Sequence, residues 1–219
     1  MLVAVLALSC GVKYACALRV YAFGDSLTAG MVDRATYTPY GASLQKLLPE
    51  DSVVESSGVV LESCHAMPAR LARELSAREE STFDVILILG GSNDLWRGDH
   101  SAIMSSLDLL YEQVRDAGAA LGVATLPPFE PDVMKWLSFT GVLAQTESTR
   151  MAVNERIRGV VASANCHADT ACGTFIVDLA RLCEQEPQTM ARPDGMHFTA
   201  KGYQRLGEEA AAALLATLP

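Results

Sequence analysis

The 219-residue chain is short of positive charge: 17 Lys and Arg stand against 26 Asp and Glu, a formal net charge of −9. An acidic surface repels phosphate backbones instead of neutralising them, which argues against nucleic acid as a partner and against docking on anionic lipid. A neutral or cationic substrate fits that charge, as does an ester whose acid product is repelled after cleavage. Long apolar runs are missing too. The N-terminal run Leu2–Leu8 is far too short to span a bilayer, so no stable membrane insertion is expected. Neither C-x-x-C nor a His/Cys array with zinc-ligand spacing occurs, which leaves no expectation of a metal. Asn93, Asn154 and Asn165 all lack the N-x-[ST] context, so glycosylation says nothing about compartment. G-x-G-x-x-G, G-x-x-x-x-G-K-[ST] and G-x-S-x-G are absent as well, and with them the dinucleotide, P-loop and nucleophile-elbow readings.

What is present is a globular composition, half hydrophobic and a fifth charged, in a length that suits one domain with a single core. Residues 1–17 are set apart from the domain at 18–219. Their apolar run and the small residues Ala15-Cys16-Ala17 resemble a secretory signal with its cleavage site, although no basic residue precedes the run. A plain N-terminal extension is the alternative. A secreted or lumenal protein follows from the first reading, and a cytoplasmic one from the second. Removal of the leader leaves four cysteines. Cys166 and Cys172 flank a short polar stretch and are the expected bridged pair, while Cys64 and Cys183 read equally well as small buried apolar residues.

Beyond residue 17, short β-rich runs alternate with amphipathic stretches. Strands are expected at Arg19–Gly24, Ser52–Ser56, Phe83–Leu89, Ala120–Leu126 and Thr174–Asp178. Helices are expected at Pro39–Leu48, Ser63–Leu75, Ser101–Ala117, Thr146–Ala164 and Thr199–Leu218, the last capped by Thr199. "FDVILILGG" and "ALGVATLPP" are nearly continuous in apolar residues, as strands covered on both faces are. The alternation predicts a parallel sheet with helices on both faces and a site at the carboxyl ends of the strands.

Three blocks follow such strand ends. In "VYAFGDSLTAG" an apolar strand runs into Gly24-Asp25-Ser26, offering a hydroxyl at the rim of the sheet; Ser26 as a helix N-cap is the plainer reading. In "GGSNDLW" Asn93 is placed to turn an amide N–H toward the same crevice, unless Asn93-Asp94 merely caps the next helix. In "RPDGMHFTAKGY" Asp194 and His197 are three apart around Gly195, a spacing that brings a carboxylate to an imidazole; the alternative is a helix-entry Asp beside a surface His.

Together these residues resemble the SGNH hydrolases, or GDSL lipase/esterase family, in block order over nearly the whole chain from Leu18. The resemblance implies a flavodoxin-like three-layer α/β/α sandwich with a mostly five-stranded parallel sheet. It also implies a serine esterase with Ser26 as nucleophile, His197 as general base and Asp194 as its orienting acid. The implied oxyanion hole comprises the Ser26 N–H, a backbone N–H from the Gly58–Leu61 loop and the Asn93 side chain, and no cofactor or metal is needed. The family usually shows two glycines three apart after the second strand. Here Gly58 matches the first and Leu61 stands in place of the second, where its side chain is expected to narrow the pocket or alter the loop.

The long stretch "PPFEPDVMKWLSFTGVLAQTE" reads as an apolar substrate wall, with Met134, Trp136 and Phe139 as candidates and Trp96 at the rim beside Tyr37–Tyr40. The expected substrate is a small-molecule ester of short to medium acyl length, or an acetyl group on a carbohydrate. An acyltransferase using the same acyl-enzyme, and a binding module on the same fold, stay open.

Overall fold

The computed structural model describes residues 16–78, 83–130, 141–165 and 173–217. Five strands, β1 (Arg19–Gly24), β2 (Val53–Gly58), β3 (Val85–Leu89), β4 (Ala120–Ala124) and β5 (Thr174–Val177), pair in parallel in the order β2-β1-β3-β4-β5. Between and after them run α1 (Ser26–Ala29), α2 (Gly41–Gln45), α3 (Met67–Ser76), a 3₁₀ turn (Ser92–Arg97), α4 (His100–Asp116), α5 (Val142–Asn165), α6 (Leu179–Gln185) and α7 (Ala200–Leu215). α2 and α7 pack on each other on one side of the sheet, and α3, α4 and α5 form the opposite layer. This is the α/β/α sandwich that the alternation predicted. The chain leaves β1 toward β2 on one side and reaches β3 on the other, so a crevice opens between the carboxyl ends of β1 and β3.

The sequence explains where each strand sits. All five residues of β3, Val-Ile-Leu-Ile-Leu, are buried, as a central strand covered on both faces requires. Each such side chain contributes roughly 1.5–3 kcal/mol through loss of apolar surface to water. β2 is an edge strand, and its Glu55, Ser56 and Ser57 leave it only partly buried. Helix α4 turns Ile103, Leu107, Leu110, Tyr111 and Val114 inward at three- and four-residue steps, and Asp99 caps it by accepting from Ala102 N–H at 2.9 Å. Thr199 caps α7 as expected, accepting from Gly202 N–H at 3.2 Å. The α2–α7 contact is made backbone to backbone. A Cβ on Gly207 would lie 2.5 Å from the Tyr40 carbonyl oxygen.

Expected and observed boundaries differ for local reasons. The stretch up to Leu48 leaves the α pattern after Gln45, but Leu47 and Leu48 still donate three residues back in a tightening final turn. The helix expected from Ser63 begins at Met67, because Pro68 lacks an N–H and is accommodated only in a first turn. Cys64 and Cys183 are buried, unbridged thiols, in accord with the apolar reading of that pair. Cys166, Cys172 and the segment Met134, Trp136 and Phe139 lie outside the described residues. Among the described residues no helix is long and apolar enough to cross a membrane, and no cluster of His, Cys, Asp or Glu is placed to hold a metal ion.

Candidate active site

Ser26 stands at the first position of α1, directly beyond the carboxyl end of β1. Asp25 is the N-cap, accepting from Leu27 N–H at 2.9 Å, so the plainer reading of Ser26 as the cap does not hold. The Ser26 Oγ is thereby free to point at His197, and it lies 2.9 Å from Nε2. Gly24 is required by close approach more than by the turn itself. A Cβ there would come within 2.0 Å of the Leu89 carbonyl oxygen and 2.3 Å of Thr28 Oγ1, pushing β1 from β3 beneath the serine.

His197 reaches the same point from the loop before α7. Asp194 folds back on that loop: its Oδ1 accepts from the Met196 and His197 backbone N–H groups at 2.9 and 2.7 Å, and its Oδ2 lies 2.6 Å from His197 Nδ1. Gly195, with φ 92°, supplies the bend between them. Partial burial pushes the Asp194 carboxyl up, but hydrogen bonds from the His197 ring and from the two backbone N–H groups outweigh it and hold the group below the usual carboxylate range. A carboxylate accepts only, so Nδ1 carries the ring proton and Nε2 is left to accept from Ser26.

The donors expected for an oxyanion divide. The Ser26 backbone N–H has no hydrogen-bond partner among the described residues. Asn93, in the 3₁₀ turn after β3, gives one amide N–H to the Glu62 carbonyl at 2.9 Å, and its second has no partner among the described residues. Neither Asn93 nor Asp94 caps the next helix: that is Asp99, while Asp94 Oδ2 accepts from Cys64 N–H at 2.6 Å. Gly58 ends β2 wedged against α1, where a Cβ would meet Ala29 N at 2.0 Å. Leu61 lies in the turn that follows, closed by Glu62 N–H to the Val59 carbonyl at 3.3 Å. Its φ of 62° is one glycine adopts freely and leucine adopts at a cost of roughly 1–2 kcal/mol. The turn thus keeps glycine-like geometry, and the side chain, 80 % exposed, points to solvent and does not narrow the pocket.

Trp96 is half-buried and tilts against Phe129 with ring centroids 4.6 Å apart. Tyr40 is a core residue, which removes it from the rim; Tyr37 is exposed. A cavity of about 510 Å³ opens beside Phe129, walled by Pro128, Leu143 and Ala144 and edged by Glu130, Glu147 and Arg192. It adjoins the His197 loop, since Glu130 N–H donates to the Gly195 carbonyl at 3.0 Å.

Two buried groups escaped the sequence reading. The Asp25 carboxyl is pushed up to about 7, by burial first, with a lowering hydrogen bond from Leu27 N–H and raising charges on Glu62 and Asp94. Its Oδ2 has no hydrogen-bond partner among the described residues. Arg70, on α3, is buried in an ion pair with Glu62. Its spacing from Met67 and Leu71 on the inward face of α3 is the signal that could have revealed it.

An α/β/α sheet with a serine, histidine and aspartate in hydrogen-bonded line at its carboxyl edge is the framework of a carboxylic ester hydrolase. The model of the GDSL-like Lipase/Acylhydrolase family matches residues 22–205, and the chain belongs to that family. A comparison with curated protein sequences finds no match. Among solved structures, a G-D-S-L family lipolytic protein from Veillonella parvula superposes with a TM-score of 0.69 at 15 % identity, covering 90 % of this chain and 97 % of its own. A lipase/acylhydrolase from Enterococcus faecalis gives a TM-score of 0.65 at 18 % identity, covering 89 % and 94 %.

Proposed function

We propose that the protein hydrolyses carboxylic esters through an acyl-enzyme on Ser26. The observation that carries this reading is the continuous line Ser26 Oγ–His197 Nε2–Asp194 Oδ2, with separations of 2.9 Å from Oγ to Nε2 and 2.6 Å from Nδ1 to the carboxylate. Ser26 Oγ attacks the ester carbonyl carbon while its proton passes to His197 Nε2. Asp194 holds the ring and stabilises the imidazolium without taking the proton itself. The carbonyl oxygen becomes an oxyanion, met by the Ser26 N–H and the second N–H of Asn93, with a backbone N–H of the Gly58–Leu61 loop as a third donor. Collapse breaks the bond to the alkoxy group, which leaves as the alcohol with the His197 proton. Water, deprotonated by His197, then attacks the acyl carbon and releases the acid and Ser26.

The surroundings support a substrate class. An apolar cavity of about 510 Å³ beside the His197 loop is of a size that ligand sites commonly have and suits a short to medium acyl chain. The acidic surface favours neutral esters, O-acetylated carbohydrate among them. The test is hydrolysis of p-nitrophenyl acetate, butyrate and octanoate by the parent and by Ser26→Ala. The parent is expected to turn over and the variant to lose at least about 10⁴-fold in kcat. A Ser26→Ala protein that keeps the parent rate removes the acyl-enzyme. Added alcohol separates hydrolysis from transfer: product ester in place of free acid would make this a transferase.

A further inference from the structure

Arg70 lies outside the Ser26–His197–Asp194 line, yet it binds the segment that holds Asn93. Its Nε and Nη2 donate to the two Glu62 carboxylate oxygens at 2.8 and 2.6 Å. Its Nη2 also donates to the Gly24 carbonyl at 2.9 Å, and its Nη1 to Ser57 Oγ at 2.5 Å and to Glu74 Oε1 at 3.2 Å. The guanidinium lies over the Phe23 ring, 3.9 Å from its centroid. One planar fork thus joins the ends of β1 and β2, helix α3 and the turn containing Leu61.

Glu62 is held twice. Arg70 holds its carboxylate, and its backbone carbonyl accepts from Asn93 Nδ2. A carbonyl only accepts, so it selects one of the two flips of the Asn93 amide: the NH₂ faces Glu62 and the remaining N–H stays available as a donor. The turn is bent through the unfavourable φ of Leu61, a conformation that persists only where its surroundings over-determine it. A buried ion pair adds little net stability relative to apolar packing of the same volume; what this one supplies is a fixed place for the Glu62 carbonyl.

We propose that Arg70 and Glu62 are positioning residues for the oxyanion donor Asn93, setting its amide orientation through the Glu62 carbonyl. This rests on the esterase reading above. Arg70→Lys keeps the charge but replaces the planar fork with a point donor, and Glu62→Gln keeps the shape but drops the charge. With p-nitrophenyl butyrate each is expected to lower kcat about 10- to 100-fold while KM stays within about twofold. In an Asn93→Ala background the same substitutions are expected to change kcat by less than about twofold, because the donor they orient is already gone. Equal losses in both backgrounds, or a loss carried by KM alone, overturn the proposal. Thermal melts confirm folding, and Glu62→Gln carries the test if Arg70→Lys does not fold. Should the parent show no Ser26-dependent turnover, the esterase reading fails by itself. The orientation is then read from the two side-chain amide proton signals of ¹⁵N-labelled Asn93. They are expected to shift in both variants, and unchanged signals overturn the proposal.

Discussion

Asp25 shows how much a single buried carboxyl beside Ser26 can ask of the fold. Its folded value of about 7 lies above the 3.8 of the exposed group, so the native state holds a proton that the unfolded chain has released. The contribution of this group to stability is therefore fully present below about pH 4, is lost as pH rises toward 7, and above that is short by on the order of 4 kcal/mol of what a neutral group would retain. Glu62 and Asp94 deepen the effect, since both place negative charge near it. Asp25→Asn caps α1 equally well and stays neutral. In urea unfolding it is expected to match the parent near pH 4 and to exceed it by a few kcal/mol near pH 8. An offset independent of pH would show that the carboxyl does not titrate between those limits. At this scale, the residues named from the sequence were those whose chemistry is local: a serine at a strand end, an imidazole three residues from a carboxylate. Asp25 and Arg70 were not legible, because their roles depend on burial and on partners from distant segments. Glu62 is held from α3 and from the turn after β3 at once.

Elements with a repeating pattern or a continuous β-rich run were readable, and α1, the 3₁₀ turn and α6 were not. All five strands and the long helices α4, α5 and α7 lie within a few residues of their expected positions, because apolar periodicity extends over several turns or a full buried run. α1 and the 3₁₀ turn are one or two turns each, and α6 is seven residues; none develops a period. These brief elements are nevertheless the ones that hold Ser26 and Asn93 at the rim. Helix α7 offers a clean test of how far the site depends on its neighbouring element. Thr199→Ala removes the cap bond to Gly202 and is expected to cost about 1 kcal/mol of unfolding free energy. Turnover is expected to fall less than about threefold, because His197 is oriented by Asp194 within its own loop and not by the helix end. A loss of catalysis far larger than the loss of stability would mean that the cap sets the imidazole.

For the whole molecule, the net charge of −9 acts at a distance on whatever approaches the crevice. An ester carrying a carboxylate is expected to show kcat/KM rising as salt goes from about 0.02 M to about 0.3 M, while a neutral ester of equal length stays flat. Parallel salt curves for the two would place the charge too far from the site to matter. The fold class was fully legible at this scale, since strand–helix alternation with a buried central run admits few architectures. The crevice walls were less so, because cavity shape depends on how loops from separate strands meet. The Ser26 Oγ and His197 Nε2 meet across 171 positions of the chain, and α7, the helix that follows the histidine, seats on α2 backbone to backbone. Hydroxyl and imidazole are therefore synthesised far apart in time, and a ribosome-bound chain that has not yet released its last segment holds Ser26 without His197. Hydrolysis of a fluorogenic ester during refolding would accordingly chart the closure of this long loop, making enzymatic turnover a clock for the completion of folding.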